Sequence, residues 1–128
     1  MYPFYLEIEL RKPVIDYFKN KGYKIRREIK IGYCKADIIA YKNDHVIAVE
    51  LKLQQWKKAI IQSKNYQLGT DFVYIAVPLM KSYNILRKAK HLLEKEGIGL
   101  LTINEKTCEV KEIIKPKKSQ KKLGTIKK

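Results

Sequence analysis

Short apolar runs separated by turn residues divide this chain into alternating strand-like and helix-like stretches. Tyr23 to Tyr33 reads as a first strand, with Ile25, Ile29 and Ile31 as its apolar members and Gly32 near its end. Two Ile/Val-rich runs follow, Lys35 to Tyr41 and His45 to Leu53, joined by Lys42-Asn43-Asp44, where Asn-Asp supplies turn chemistry. From Gln54 to Leu68 the spacing becomes helical: Trp56, Ile60, Ser63 and Gln67 fall on one side, Ala59, Gln62 and Tyr66 on another. Phe72 to Val77 is a near-continuous apolar run closed by Pro78, the pattern of an interior strand covered on both faces. Ser82 is placed to cap a helix reaching Glu96, with Ile85, Leu86, Ala89, Leu92 and Leu93 inward and Gly97 as its stop. Ile98 to Ile103 then reads as a buried strand and Val110 to Ile114 as a short edge strand.

The beginning of the chain is open to two readings. Phe4, Leu6, Ile8 and Leu10 alternate with Glu7 and Glu9 as in a strand, whereas Pro3 equally suits a helix start. Pro13 then opens or kinks a helix whose apolar residues Val14, Ile15, Tyr17 and Phe18 stop at Gly22. The resulting order is helix, three strands, helix, strand, helix, strand, edge strand. It implies an α/β fold whose central mixed sheet is flanked by helices and uses crossover connections.

At 128 residues the chain is expected to be one domain, 1–114, followed by a flexible Lys-rich tail, 115–128. That tail holds seven lysines and no acid, so it carries seven of the 15 net positive charges and leaves +8 on the rest. Such an excess favours polyanionic partners, nucleic acid before an anionic membrane surface, and the tail suits non-specific phosphate contacts. No apolar run approaches the roughly 20 residues of a membrane span and no signal-peptide layout is present, so a cytoplasmic location is expected. Cys34 and Cys108 have no metal-ligand spacing, and neither His45 nor His91 has a second histidine at ligand distance. There is no Walker-type phosphate loop, Gly-x-Ser-x-Gly elbow or His-Glu-x-x-His. Zinc and Ser-His-Asp chemistry are poor fits, and any nucleic-acid cleavage is expected to be ATP-independent.

The chemistry-bearing stretch is the hairpin from Lys35 to Leu53. Its first strand carries one carboxylate, Asp37, among apolar neighbours; its second carries Glu50 and Lys52, two positions apart in an equally apolar run. Alternation puts Glu50 and Lys52 on one face, and pairing of the strands brings Asp37 to about one strand spacing, roughly 5 Å. Two carboxylates converging in an apolar sheet repel each other and lose solvation, and a divalent cation relieves both. The Glu-x-Lys triplet itself discriminates little, since it recurs at Glu28–Lys30 and Glu109–Lys111. Its context does: an Asp-bearing strand before it and a helical pattern after it.

In these residues the chain resembles the PD-(D/E)xK nuclease superfamily, the restriction-endonuclease-like fold that includes archaeal Holliday-junction resolvases and RecB-like nucleases. Asp37 matches the Asp, and Glu50 and Lys52 match the Glu-x-Lys; Ala36 stands where the motif has Pro. Gln62 and Tyr66, one turn apart, match the Gln-x-x-x-Tyr helix motif of RecB-like members. The resemblance covers residues 1 to about 104 and implies a restriction-endonuclease-like sandwich. It favours a helix at the N-terminus, with a supporting carboxylate from Glu9 or Glu7; Glu28 is a further candidate.

The function implied is a Mg²⁺-dependent endonuclease, with Mn²⁺ substituting, that hydrolyses DNA phosphodiester bonds, branched or damaged DNA among its substrates. Asp37, Glu50 and the Leu51 carbonyl would hold the metal, Lys52 would act on the attacking water and the transition state, and Glu9, Gln62 and Tyr66 would support them. A homodimer would set two such sites on two strands. The alternative is a non-catalytic nucleic-acid-binding module that keeps the nuclease-like fold; a small basic ribosome-associated protein would leave Asp37 and Glu50 unexplained.

Overall fold

A computed structural model describes residues 4–120 of the chain. A single 3₁₀ turn, Glu7–Leu10, runs directly into α1, Arg11–Lys19, so the open N-terminal stretch resolves as helical. Pro13 is the third residue of α1, where its missing N–H removes no helical hydrogen bond. The Pro3 start signal lies outside the described residues. Three antiparallel strands come next: β1, Lys24–Ile31, β2, Cys34–Lys42, and β3, His45–Leu51. Helix α2, Trp56–Tyr66, crosses to β4, Phe72–Pro78, and α3, Leu79–Glu96, crosses to β5, Gly99–Ile103; β6, Val110–Ile114, returns along the edge.

The six strands form one sheet in sequence order, β1-β2-β3-β4-β5-β6. The β3–β4 and β4–β5 pairs are parallel and the rest antiparallel, which gives the mixed sheet that the helix-strand alternation predicts. Helix α1 covers one face, where Val14 and Phe18 meet Ile38, Ala40, Ile47, Val49, Leu51 and Leu101. On the other face α2 and α3 lay Ala59, Ile60, Ile85, Ala89 and Leu93 on Ile75, Val77 and Leu100. Tyr66 closes that layer over Ala36, Ile39, Val46, Ala48 and Val73. Both faces of β3 and β4 are therefore buried, and their sequences are correspondingly almost unbroken in apolar residues.

Asn43, in the β2–β3 turn, takes a left-handed φ of 54°, as an Asn in such a turn is suited to do. Two helix readings need correction. Helix α3 begins at Leu79, three residues before Ser82, with Pro78 as its N-cap. Glu105, from beyond β5, accepts the Met80 N–H at 3.0 Å, so the cap is supplied by a distant residue. Ser82 sits inside the first turn and donates to the Leu79 carbonyl. Leu92 is 42% exposed, because Ile85, Ala89 and Leu93 already define the buried stripe.

The segment after β6 is tied to the body at two points. Lys117 N–H donates to the Gly97 carbonyl at 3.0 Å and Ser119 N–H to the Asp71 carbonyl at 2.7 Å. Four of the seven lysines expected in a flexible tail lie at 121–128, outside the described residues. No helix among the described residues is long and apolar enough to cross a membrane.

Candidate functional site

Strand β3 alternates strictly. Ile47, Val49 and Leu51 point into the α1-side core, Val46 and Ala48 into the layer under Tyr66. Glu50 continues the second series, which sends a carboxylate, only 4% exposed, toward the end of α2. There the Tyr66 hydroxyl lies 2.7 Å from Glu50 Oε1 and 2.7 Å from the Lys35 carbonyl oxygen. Lys52 stands one residue beyond β3, its own N–H bonded to the Ala76 carbonyl at 3.0 Å. Its ammonium lies 3.5 Å from Glu50 Oε2, with the side chain 12% exposed.

Asp37 comes from β2 and accepts the Leu51 N–H through Oδ2 at 2.8 Å. This bond spans the two strands just past the last ladder pair, Ile38 and Val49, and fixes Asp37 beside the Glu50–Leu51 peptide. The two carboxylates perturb each other. Burial is the main cause that pushes Glu50 up from 4.5 to about 7; the Asp37 charge pushes the same way, and Tyr66 and Lys52 offset part of it. Asp37 is also raised, first by burial and further by Glu7, while the Leu51 N–H, Lys52 and Arg11 hold it down.

The site has further members on the first helical stretch. Glu7 Oε2 faces the Leu53 N–H at a long 3.4 Å, and both Glu7 and Arg11 act electrostatically on Asp37. Glu7 and Arg11 are four residues apart and so share a face once this stretch is helical. Arg11 was not singled out in the sequence, since only a committed helix there aligns it with Glu7; its Nε is buried without a hydrogen-bond partner. Glu9 is not brought to the carboxylate pair: Oε1 accepts the Tyr5 and Leu6 N–H groups at 2.8 and 2.7 Å and caps the 3₁₀ turn. Glu28 falls at the break in the β1–β2 register between the Arg27–Ile38 and Ile29–Ala36 pairs, with a left-handed φ of 56°, and its exposed side chain makes no hydrogen bond or ion pair with the site. Gln62, one turn before Tyr66 on the same side of α2, has a buried Oε1 with no hydrogen-bond partner.

These residues suit a small divalent cation. The donors are oxygens only: the Asp37 and Glu50 carboxylates and the Leu51 carbonyl between them and Lys52. The raised Asp37 and Glu50 are the mark of a carboxylate pair deprived of water, which Lys52 and Arg11 compensate only in part. No group of three or more His, Cys, Asp or Glu side chains with metal-holding spacing occurs among the described residues, so a cation here would keep several waters.

No protein-family model and no curated protein matches this chain. Its fold is similar to that of a protein of unknown function from Silicibacter pomeroyi, with a TM-score of 0.67 at 14% identity over 88% of this chain and 72% of that one. It is also similar to an XisH family protein from Nostoc punctiforme, with a TM-score of 0.61 at 19% identity over 83% of this chain and 96% of the other. At such identities the likeness is one of fold.

Proposed function

We propose that this chain is a Mg²⁺-dependent nuclease that hydrolyses DNA phosphodiester bonds, and that its α/β sandwich is of the restriction-endonuclease-like kind. The observation that carries this reading is the buried convergence of Asp37, Glu50 and Lys52 at one end of β2 and β3. Two carboxylates and an ammonium within 3.5 Å of one of them form a costly arrangement for a mere binding surface. Apposed carboxylates repel a phosphate unless a cation stands between.

The protein's own groups divide the work. Asp37 and Glu50 hold the cation, and the Leu51 N–H and Tyr66 hydroxyl orient one oxygen of each. When bound, the cation supplies Lewis-acid polarisation of the phosphate and lowers the pKa of a bound water. Lys52, fixed by its backbone bond to β4, orients the attacking water and offsets the negative charge that builds on the phosphate in the transition state. Gln62 Oε1, an acceptor with no partner, is suited to accept a hydrogen bond from that water or from a sugar hydroxyl. The basic surface supplies sequence-independent attraction to the backbone.

Cleavage of supercoiled plasmid and branched DNA in Mg²⁺, Mn²⁺ and EDTA tests the reading. Metal-dependent nicking lost in EDTA is expected. Pure, folded protein that cuts no DNA or RNA in Mn²⁺ would instead favour the non-catalytic binding module.

A further inference from the structure

Beside the carboxylate pair, past the C-terminal ends of β3 and β4, a cleft of about 330 Å³ opens between the starts of α2 and α3. Its walls are apolar: Trp56, Val77, Met80 and Ile85. Lys52, Lys81 and Asn84 also line it, and no acidic residue does. Lys57 Nζ lies 5.7 Å from the Trp56 ring centre, so a further cation borders the indole. Gln55, the residue before Trp56, is held at φ 58°, a left-handed conformation that costs a non-glycine residue about 1 kcal/mol or more. It has no side-chain capping bond to offset that cost, and it sets the point at which α2 starts and Trp56 enters the cleft wall.

The nuclease reading leaves this cleft unused, yet Lys52 belongs to both. Its ammonium is 3.5 Å from Glu50 Oε2 while its side chain lines the cleft. A phosphate at Lys52 and an apolar-walled slot next to it match the two ends of one nucleotide. The slot's chemistry is that of a base: an indole face for stacking, a thioether wall, and an amide able to donate to or accept from a ring edge. A base within a duplex is stacked on both faces and cannot enter, so only an unpaired or displaced one fits.

We propose that this cleft seats one unpaired nucleobase of the substrate next to the phosphate held at Lys52, which directs the enzyme to DNA with frayed, flapped or single-stranded positions. The assignment rests on the nuclease reading for the phosphate, and on the cleft's own lining for the base.

Trp56 is the single tryptophan of the chain, so its fluorescence reports on the cleft directly. In Mg²⁺, titration of the full chain with a deoxynucleoside 5′-monophosphate, which has no phosphodiester to cleave, is expected to quench Trp56 saturably, and 2-deoxyribose 5-phosphate is not. Trp56→Leu is expected to weaken binding of single-strand-tailed duplex about fivefold or more, with blunt duplex unaffected. If Trp56→Leu fails to fold, Met80→Ala, at a half-exposed position and without a change of charge, serves the same comparison. Quenching by a nucleotide in a protein that cleaves nothing would support the seat and sink the nuclease reading. Metal-dependent cleavage with no quenching and equal loss of tailed and blunt binding would overturn the seat and leave the nuclease reading standing.

Discussion

The Tyr66 hydroxyl stands between Glu50 Oε1 and the Lys35 carbonyl oxygen, 2.7 Å from each. A phenol has one proton, so it donates to only one of them at a time. With Glu50 ionised the proton serves the carboxylate, and the Lys35 carbonyl loses that donor. With Glu50 protonated, the carboxyl donates to Tyr66 and Tyr66 donates to Lys35. Burial is the main cause that pushes Glu50 up to about 7, and the Tyr66 hydroxyl offsets part of it by donating to the carboxylate at the expense of the Lys35 carbonyl.

Glu50→Gln is expected to stabilise the metal-free protein at alkaline pH. A carboxyl whose folded pKa is raised holds a proton that the unfolded chain releases, so stability falls as pH rises from about 4.5 to about 7 and stays low above. The neutral amide removes that loss. Thermal melts in EDTA should show a gain on the order of 2 kcal/mol at pH 8 and little at pH 4. An equal gain at both would mean that ionisation is not its source.

Tyr66→Phe deprives both acceptors of their donor. A loss of about 1–2 kcal/mol is expected, from the buried carbonyl and carboxyl left short of a partner. The variant should also need a higher pH for half-maximal Mn²⁺ binding, because the hydroxyl that favours ionised Glu50 is gone. An unmoved midpoint would detach Tyr66 from Glu50.

Cation binding is expected to be weak, to require Asp37 and Glu50 together, and to release protons near pH 6.5, so affinity rises as pH passes 7. Calorimetry in buffers of different ionisation heat measures the protons directly. Asp37→Ala should abolish the signal; binding unchanged in both Asp37→Ala and Glu50→Ala would move the site elsewhere.

Lys52→Ala is expected to abolish cleavage yet leave DNA affinity in Ca²⁺ nearly intact, since one lysine adds little to a net charge of +15. Metal binding at pH 8 should persist, because an ammonium is not a ligand. Full-rate cleavage by the variant would overturn its assigned role.

Because Lys117 and Ser119 are bonded to the body, a truncation that probes electrostatics alone ends after Gln120. It removes four lysines, and a shallower salt dependence of DNA binding is expected with an unchanged melting temperature. An identical salt slope would leave those lysines without an electrostatic role.

Much of this arrangement was legible in the sequence. The Ile/Val-rich runs of β2 and β3 joined by a turn, the unbroken apolar run of β4 and the helix-strand order locate the sheet and put Glu50 beside Asp37. What escaped depends on contacts remote in sequence. The start of α3 is set by Glu105, more than twenty residues downstream. Glu9 and Glu7 are two residues apart in one ambiguous run, and only the 3₁₀ turn makes one a cap and turns the other toward Leu53. Arg11 carried no signal for the same reason. The left-handed Gln55 delays α2 to Trp56, and no local pattern announces it.

Strand order along the sheet equals strand order along the chain, and this bears on how the molecule assembles. Each strand adds beside the one made just before it, so every closure spans a single hairpin or one helix, and none awaits a distant partner. A ribosome-bound chain can therefore extend the sheet as it emerges, with each new edge covered by the next strand out. Only β6 and the Lys117 and Ser119 bonds must wait for the last segment, which makes them the latch of an otherwise progressive assembly.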